Sequence, residues 1–278
     1  MRKISAFLVL VLFLIYSSSA YAAPEVVQSK FAQIALVEWN RLDSPDNRFD
    51  TAEEFLAEVD NYVIQIAQFL KKENWLEHYS EKRINFKYAE TGPSHVANGY
   101  YAYKSLVLEI YYNVSFKRDL APIAHEITHL ITPFYSAHSL REGLACMMQD
   151  RFGKNDCAFN YGAPVHRLAK QFLLPEYKMI LDVIGKPGVP DLDIYNDINF
   201  RAGYYLLSHS FSKFLVETYE MDNFMKLYET SELLSSYQDV TGKSLAELKN
   251  DWIQHLNQQP DFGVPYKVFI KKFGKSTE

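Results

Sequence analysis

Cysteine is scarce, with only Cys146 and Cys157 in 278 residues. Two thiols allow one small disulfide loop or two buried free thiols, and the residues leave both open. Basic charge is not in excess either: the formal charge is −5, which argues against nucleic acid as the main partner. After the N-terminus no apolar run is long enough to span a bilayer. Internal repeats and low-complexity stretches are absent, as is a pro-segment carrying a ligand cysteine. These absences leave one large domain, or one domain with a helical extension, as the expected organisation.

What is present begins with a leader. Arg2 and Lys3 precede a compact apolar run, Ile4 to Tyr16, and Ala20-Tyr21-Ala22 is a small-x-small cleavage site. This reads as a secretory signal peptide over residues 1–22, giving a secreted or periplasmic protein with no membrane span after cleavage. No cysteine follows the site, so a lipid anchor is not indicated. Losing Arg2 and Lys3 takes the formal charge from −5 to −7. Asn113-Val114-Ser115 is a glycosylation sequon, relevant only in a eukaryotic source.

Periodicity predicts an α+β, mostly helical chain. Val26 to Asn40 reads as a short helix, followed by turn chemistry at Asp43 to Asn47. Thr51-x-x-Glu54 resembles a capping box that opens a helix to about Lys72, with Phe55, Val59, Tyr62, Ile66 and Phe69 on one face. Residues 23–80 therefore read as an N-terminal helical extension. Arg83 to Tyr88 alternates as a strand, Thr91-Gly92-Pro93 is a turn, and residues 99–103 and 106–112 read as two further strands. A helix follows from about Asp119 to Ala121, with Asp119 as cap and Pro122 in the first turn, and Thr132-Pro133 ends it. Further helices are expected over Leu140–Phe152, Tyr161–Leu173, Phe200–Tyr219, Asn223–Tyr228 and Leu245–Leu256, with residues 258–278 as a tail.

The central helix carries His125-Glu126-x-x-His129 in an apolar frame of Ile123, Ala124, Ile127, Leu130 and Ile131. Residues four apart share a helix face, so two imidazoles stand side by side and can grip one metal ion. Glu126 is then within reach of a water molecule at the metal without being a ligand. A catalytic zinc takes three protein ligands and keeps one open position. The third candidates are His138, Glu142, Asp150 and His166. His138 lies nine residues after His129, but the stretch between lacks the glycine of the metzincin turn. Glu142 opens a helix that can run back against the first, and is preferred, although His138 is also a competent ligand.

His-Glu-Ile-Thr-His followed by Arg141-Glu-Gly-Leu-Ala145 resembles the gluzincin zinc metallopeptidases, and more narrowly the peptidase MA-like family. Tyr204 to Tyr219 is similar to that group's later helix, and Thr241 to Trp252 to its closing Gly-x-x-Leu signature. The likeness covers about residues 82–257, read as a zincin-like domain over 81–257. It implies zinc bound by His125, His129 and Glu142, Glu126 as general base, and a small sheet above helices. One position departs from it: where the group often carries an acid four residues after the ligand Glu, this chain has Cys146. Partners of the zinc histidines are then open, with Asp150 and Asp119 as candidates.

The expected activity is zinc-dependent hydrolysis of peptide bonds, with a peptide or protein as substrate. Tyr204 or Tyr205, with His209 on an adjacent turn, could stabilise the oxyanion. His95 and His166 read as structural. The competing expectation is a catalytically inactive zincin-like domain that binds a peptide or partner. A third keeps the hydrolase chemistry but acts on peptidoglycan or another amide.

Overall fold

A computed structural model describes residues 25–42, 49–89, 95–96, 108–112, 122–154, 158–190 and 197–273. The expected leader, both turns at 43–47 and 91–93, the strand at 99–103, the sequon, Asp119 and Cys157 lie outside these residues. The described chain is mostly helical with one small mixed sheet, as the sequence predicts. No helix among the described residues is long and apolar enough to cross a membrane.

The sheet has five strands: β1 (Val26–Gln28), β2 (Ala32–Ala35), β3 (Ile84–Tyr88), β4 (His95–Val96) and β5 (Glu109–Tyr112). Their spatial order is β1-β2-β3-β5-β4. The β2, β3 and β5 strands run parallel, while β1 and β4 are antiparallel edges. The helix expected over Val26 to Asn40 is thus corrected to a hairpin of two short strands followed by helix α1 (Leu36–Leu42). The reason is local. Ala32 and Ile34 are buried while Gln33 and Ala35 are half-buried, a period of two. The turn between the strands is held by Asp60, whose carboxylate accepts from Ser29 Oγ and from the Lys30 and Phe31 backbone N–H groups, at 2.8 to 2.9 Å.

Asp60 belongs to α2 (Ala52–Phe69), which buries Phe55, Val59, Tyr62 and Ile66 as expected. Thr51 caps it by accepting from Glu54 N, while Glu54 reaches back to Asp50 N rather than to Thr51, so the capping box is displaced by one residue. Residues 23–80 are therefore not a purely helical layer, because β1 and β2 complete the sheet and Ala32 pairs with Ile84 across that boundary.

The motif helix, α3 (Ile123–Ile131), lies between α2 and α4 (His138–Phe152) and touches β4. Pro122 sits at the N-cap rather than in the first turn. After α4, α5 (Val165–Ala169) and a 3-10 turn over Lys170–Phe172 stand in place of one helix over Tyr161–Leu173, and a second 3-10 turn over Pro175–Tyr177 leads into α6 (Lys178–Val183). Then α7 (Ile198–Glu229), the longest described helix, is broken at Glu220 (φ 69°, ψ 161°). That conformation is nearly exclusive to glycine and costs about 1–3 kcal/mol. The chain closes with α8 (Leu233–Thr241), α9 (Leu245–Gln258) and α10 (Tyr266–Phe269). Tyr266, Phe269 and Ile270 are buried in the same core as the N-terminal strands, so the expected tail is docked.

Candidate metal centre

The α3 helix is held at both ends before any function is considered. Near its start the His125 backbone N–H donates to Gln149 Oε1 of α4 at 3.1 Å, and Gln149 Nε2 donates to Lys154 O. At its end the exposed carbonyls of a helix need partners. Tyr79 O–H takes Leu130 O at 2.6 Å, Thr132 Oγ1 takes Thr128 O, and Tyr228 O–H takes Thr132 O at 3.1 Å. Every residue of α3 is buried, the three polar motif residues included.

Close passage of α7 over α4 brings Glu142 to this helix. A Cβ on Gly143 would stand 2.1 Å from Ser212 Oγ and 2.4 Å from Ser208 O. Only glycine after the acid lets the long helix seat at that distance, and Glu142 is thereby turned towards α3.

Three donor atoms meet there. His125 Nε2 and His129 Nε2 are 3.0 Å apart, and Glu142 Oε2 lies 3.2 Å from the first and 3.5 Å from the second. A tetrahedral ion with ligands at ~2.0–2.1 Å requires donor separations of about 3.3–3.4 Å. The triangle matches that shell, and His125, His129 and Glu142 are one group able to hold a metal ion. Preference for Glu142 over His138 is explained by the second carboxylate oxygen. Oε1 faces away from the triangle, taking the Arg141 guanidinium and lying 3.4 Å from His138 Nε2. His138 thus braces the carboxylate from behind.

The electrostatics agree. Burial would raise the Glu142 carboxyl, but the neighbouring His129 and Arg141 charges hold it well below the usual range. Burial, with Arg141, pushes His129 down to about 3. Burial also acts against protonation of His125, yet hydrogen bonds to Cys146 and Glu142 bring it up to about 10. The balance favours one positive charge held between the imidazoles and the carboxylate. Glu126 is raised to about 7, chiefly by burial, while the His125 charge and a backbone hydrogen bond from Val96 of β4 pull it down.

Supporting residues differ from those expected. Cys146 Sγ lies 3.8 Å from His125 Nδ1 and takes the place of the missing acid, while burial pushes its thiol pKa up. Asp150 instead accepts from Asn160 Nδ2. His129 Nδ1 is buried without a hydrogen-bond partner among the described residues. Tyr204 is fully buried, with its hydroxyl 2.8 Å from His138 Nδ1, so its place is behind the site. Tyr205 is the one that borders it, its ring centroid 6.2 Å from that of His125. His95 of β4 stacks on Tyr111 of β5, and His166 stands elsewhere, against Ser210 and Glu217. Arg141, His138 and Gln149 are the site residues that sequence reasoning did not place in these roles. A basic residue directly before the ligand acid was the available signal for Arg141.

Comparison with protein-family models, curated proteins and solved structures gave no match for this chain.

Proposed function

We propose that this chain is an exported zinc-dependent peptidase, with zinc held by His125, His129 and Glu142 and with Glu126 as general base. The observation that carries the reading is the donor triangle of 3.0, 3.2 and 3.5 Å with a further carboxylate beside it. Two imidazoles and one carboxylate are a donor set suited to zinc, which would displace the proton held on His125. When bound, zinc supplies Lewis-acid polarisation of a carbonyl and acidifies water.

The chain's own residues do the rest. Glu126 takes the proton of the attacking water and passes it to the leaving amine. A carboxyl raised to about 7 can do both near neutral pH, although a neighbouring cation lowers it. Among the described residues β4 is the outermost strand of the sheet, and main-chain hydrogen bonds along it would align an extended substrate. Its Val96 backbone bonds Glu126, so a peptide paired along β4 lies beside the base. We assign Tyr205 to the developing oxyanion because, among the described tyrosines, its ring is the one beside His125.

The test uses purified protein with and without a chelator on a peptide library. Glu126→Gln retains stoichiometric zinc and loses hydrolysis by at least about 100-fold. Glu142→Ala loses the zinc. Stoichiometric zinc without hydrolysis of any peptide or cell-wall substrate would instead indicate a binding domain.

A further inference from the structure

A second set of ligating side chains stands on the far part of α7. His166 of α5, Glu217 of α7 and His255 of α9 present ligand atoms that all lie within 4.8 Å of one another. Glu217 is twelve residues beyond Tyr205, which at 1.5 Å per residue is roughly 18 Å along the helix from the first centre. We propose that His166, Glu217 and His255 form a second divalent transition-metal site, of the two-histidine, one-carboxylate type, that clasps α5, α7 and α9.

His166 is the anchored member. Its ring is buried, with Nδ1 2.9 Å from Ser210 Oγ. Ser210 Oγ also accepts from the indole N–H of the fully buried Trp252 at 3.0 Å. The two lone pairs of that hydroxyl suit two donors, Trp252 Nε1–H and His166 Nδ1–H. An imidazole held through Nδ1–H presents its Nε2 lone pair outward, as histidine ligands to metals do. Here Nε2 faces Glu217 Oε2 at 3.2 Å, a distance that fits two ligands of one ion. The His255 ring stands edge-on to His166 with centroids 4.7 Å apart, and it leans on Phe214. Its Nε2 lies 3.2 Å from the amide of the half-buried Gln259 at the C-cap of α9, a contact that an ion at this site displaces.

The site is half open, with the Glu217 side chain 50% exposed, so water completes the coordination. Imidazole and carboxylate together suit Zn²⁺, Ni²⁺ or Cu²⁺ better than Ca²⁺ or Mg²⁺. Lys213 Nζ, 3.8 Å from Glu217 Oε1, is the local competitor for the carboxylate. It makes this the weaker of the two centres. Since the ligands come from three helices, an ion there stabilises the folded chain by mass action.

The test is zinc alone, counted by elemental analysis after equilibrium dialysis of the full chain. Wild type binds two equivalents. Glu217→Gln keeps the size of the side chain, and its amide N–H can donate to His166 Nε2, but it removes the charged ligand and binds one. The half-exposed His255→Ala also binds one, and zinc then raises the melting temperature less than in wild type. Lys213→Gln binds the second equivalent more tightly. A wild-type chain with one equivalent, which Glu142→Ala removes, overturns the inference and leaves the first centre standing. Two equivalents in both Glu217→Gln and His255→Ala overturn it as well.

Discussion

Arg141 shows how much of the first centre depends on a residue outside the donor triangle. Its guanidinium holds one oxygen of Glu142, leaving the other for the histidines, and its plane lies over Tyr135 with 5.4 Å to the centroid. Arg141→Met frees the carboxylate to rotate, and loss of such an orienting partner costs about 10–100-fold in metal affinity. Competition against a chelator measures this, with circular dichroism of the metal-free protein as the control for folding. His209 yields a prediction about pH. Burial, aided by the Lys213, His166 and His125 charges, pushes its pKa down to about 3. In the unfolded chain the imidazole protonates near 6.5, so between these values the unfolded state binds more protons. Its contribution is complete above about pH 6.5 and is lost as pH falls towards 3, by roughly 1.4 kcal/mol per pH unit at most. Urea midpoints at pH 7 and pH 5 should converge in His209→Gln, and an unchanged gap would refute the assignment. At this scale the sequence is informative where spacing and chemistry coincide. His125, Glu126 and His129 share one helix, and Glu142 follows in a recognisable context. The partners of those groups are set by how two helices cross, which no spacing reports. That is why Cys146 reads as a gap in the sequence, and why Tyr204 reads there as a group at the reacting atoms although it stands behind His138.

Among the elements, the crossing of α4 and α7 is the one on which the centre is most dependent. Gly143→Ala places a methyl group against Ser212 Oγ and the Ser208 carbonyl, at 2.1 and 2.4 Å before relaxation. One of these is backbone and cannot rotate away. Overpacking of this kind costs about 1–3 kcal/mol. Chemical denaturation reads that cost, and zinc content should fall with it because Glu142 moves with α4. The long helices were legible because their apolar period persists over several turns, as in Phe55, Val59, Tyr62 and Ile66 of α2. Shorter elements were not. The β1 and β2 strands have three and four residues, too few to separate a period of two from 3.6. The α8 helix went unnoticed, although it ends on Gly242 at φ 74°, a left-handed helix stop.

Across the whole molecule, one buried cluster runs from Ala32 to Ile270. The sequence therefore suggested more separation between an extension, a catalytic part and a tail than the packing shows. What hid this was the pairing of β2 with β3, which spans 52 residues from Ala32 to Ile84 and leaves no local trace. The hydrogen bonds that secure the end of α3 have a similar reach. Tyr79 acts on Leu130 from 51 residues away, and Tyr228 acts on Thr132 from 96. By contrast, His125 and Glu142 are only 17 positions apart. This difference sets an order of events in folding. Closing a short loop is cheap in entropy, whereas long-range pairing is slow and comes late. An ion can therefore gather α3 and α4 while the sheet is still open. Refolding with equimolar zinc from the start should outpace refolding without it, and Glu142→Ala should lose the difference. Equal rates would mean that the three ligands converge only once Tyr79 and Tyr228 have locked the helix between them.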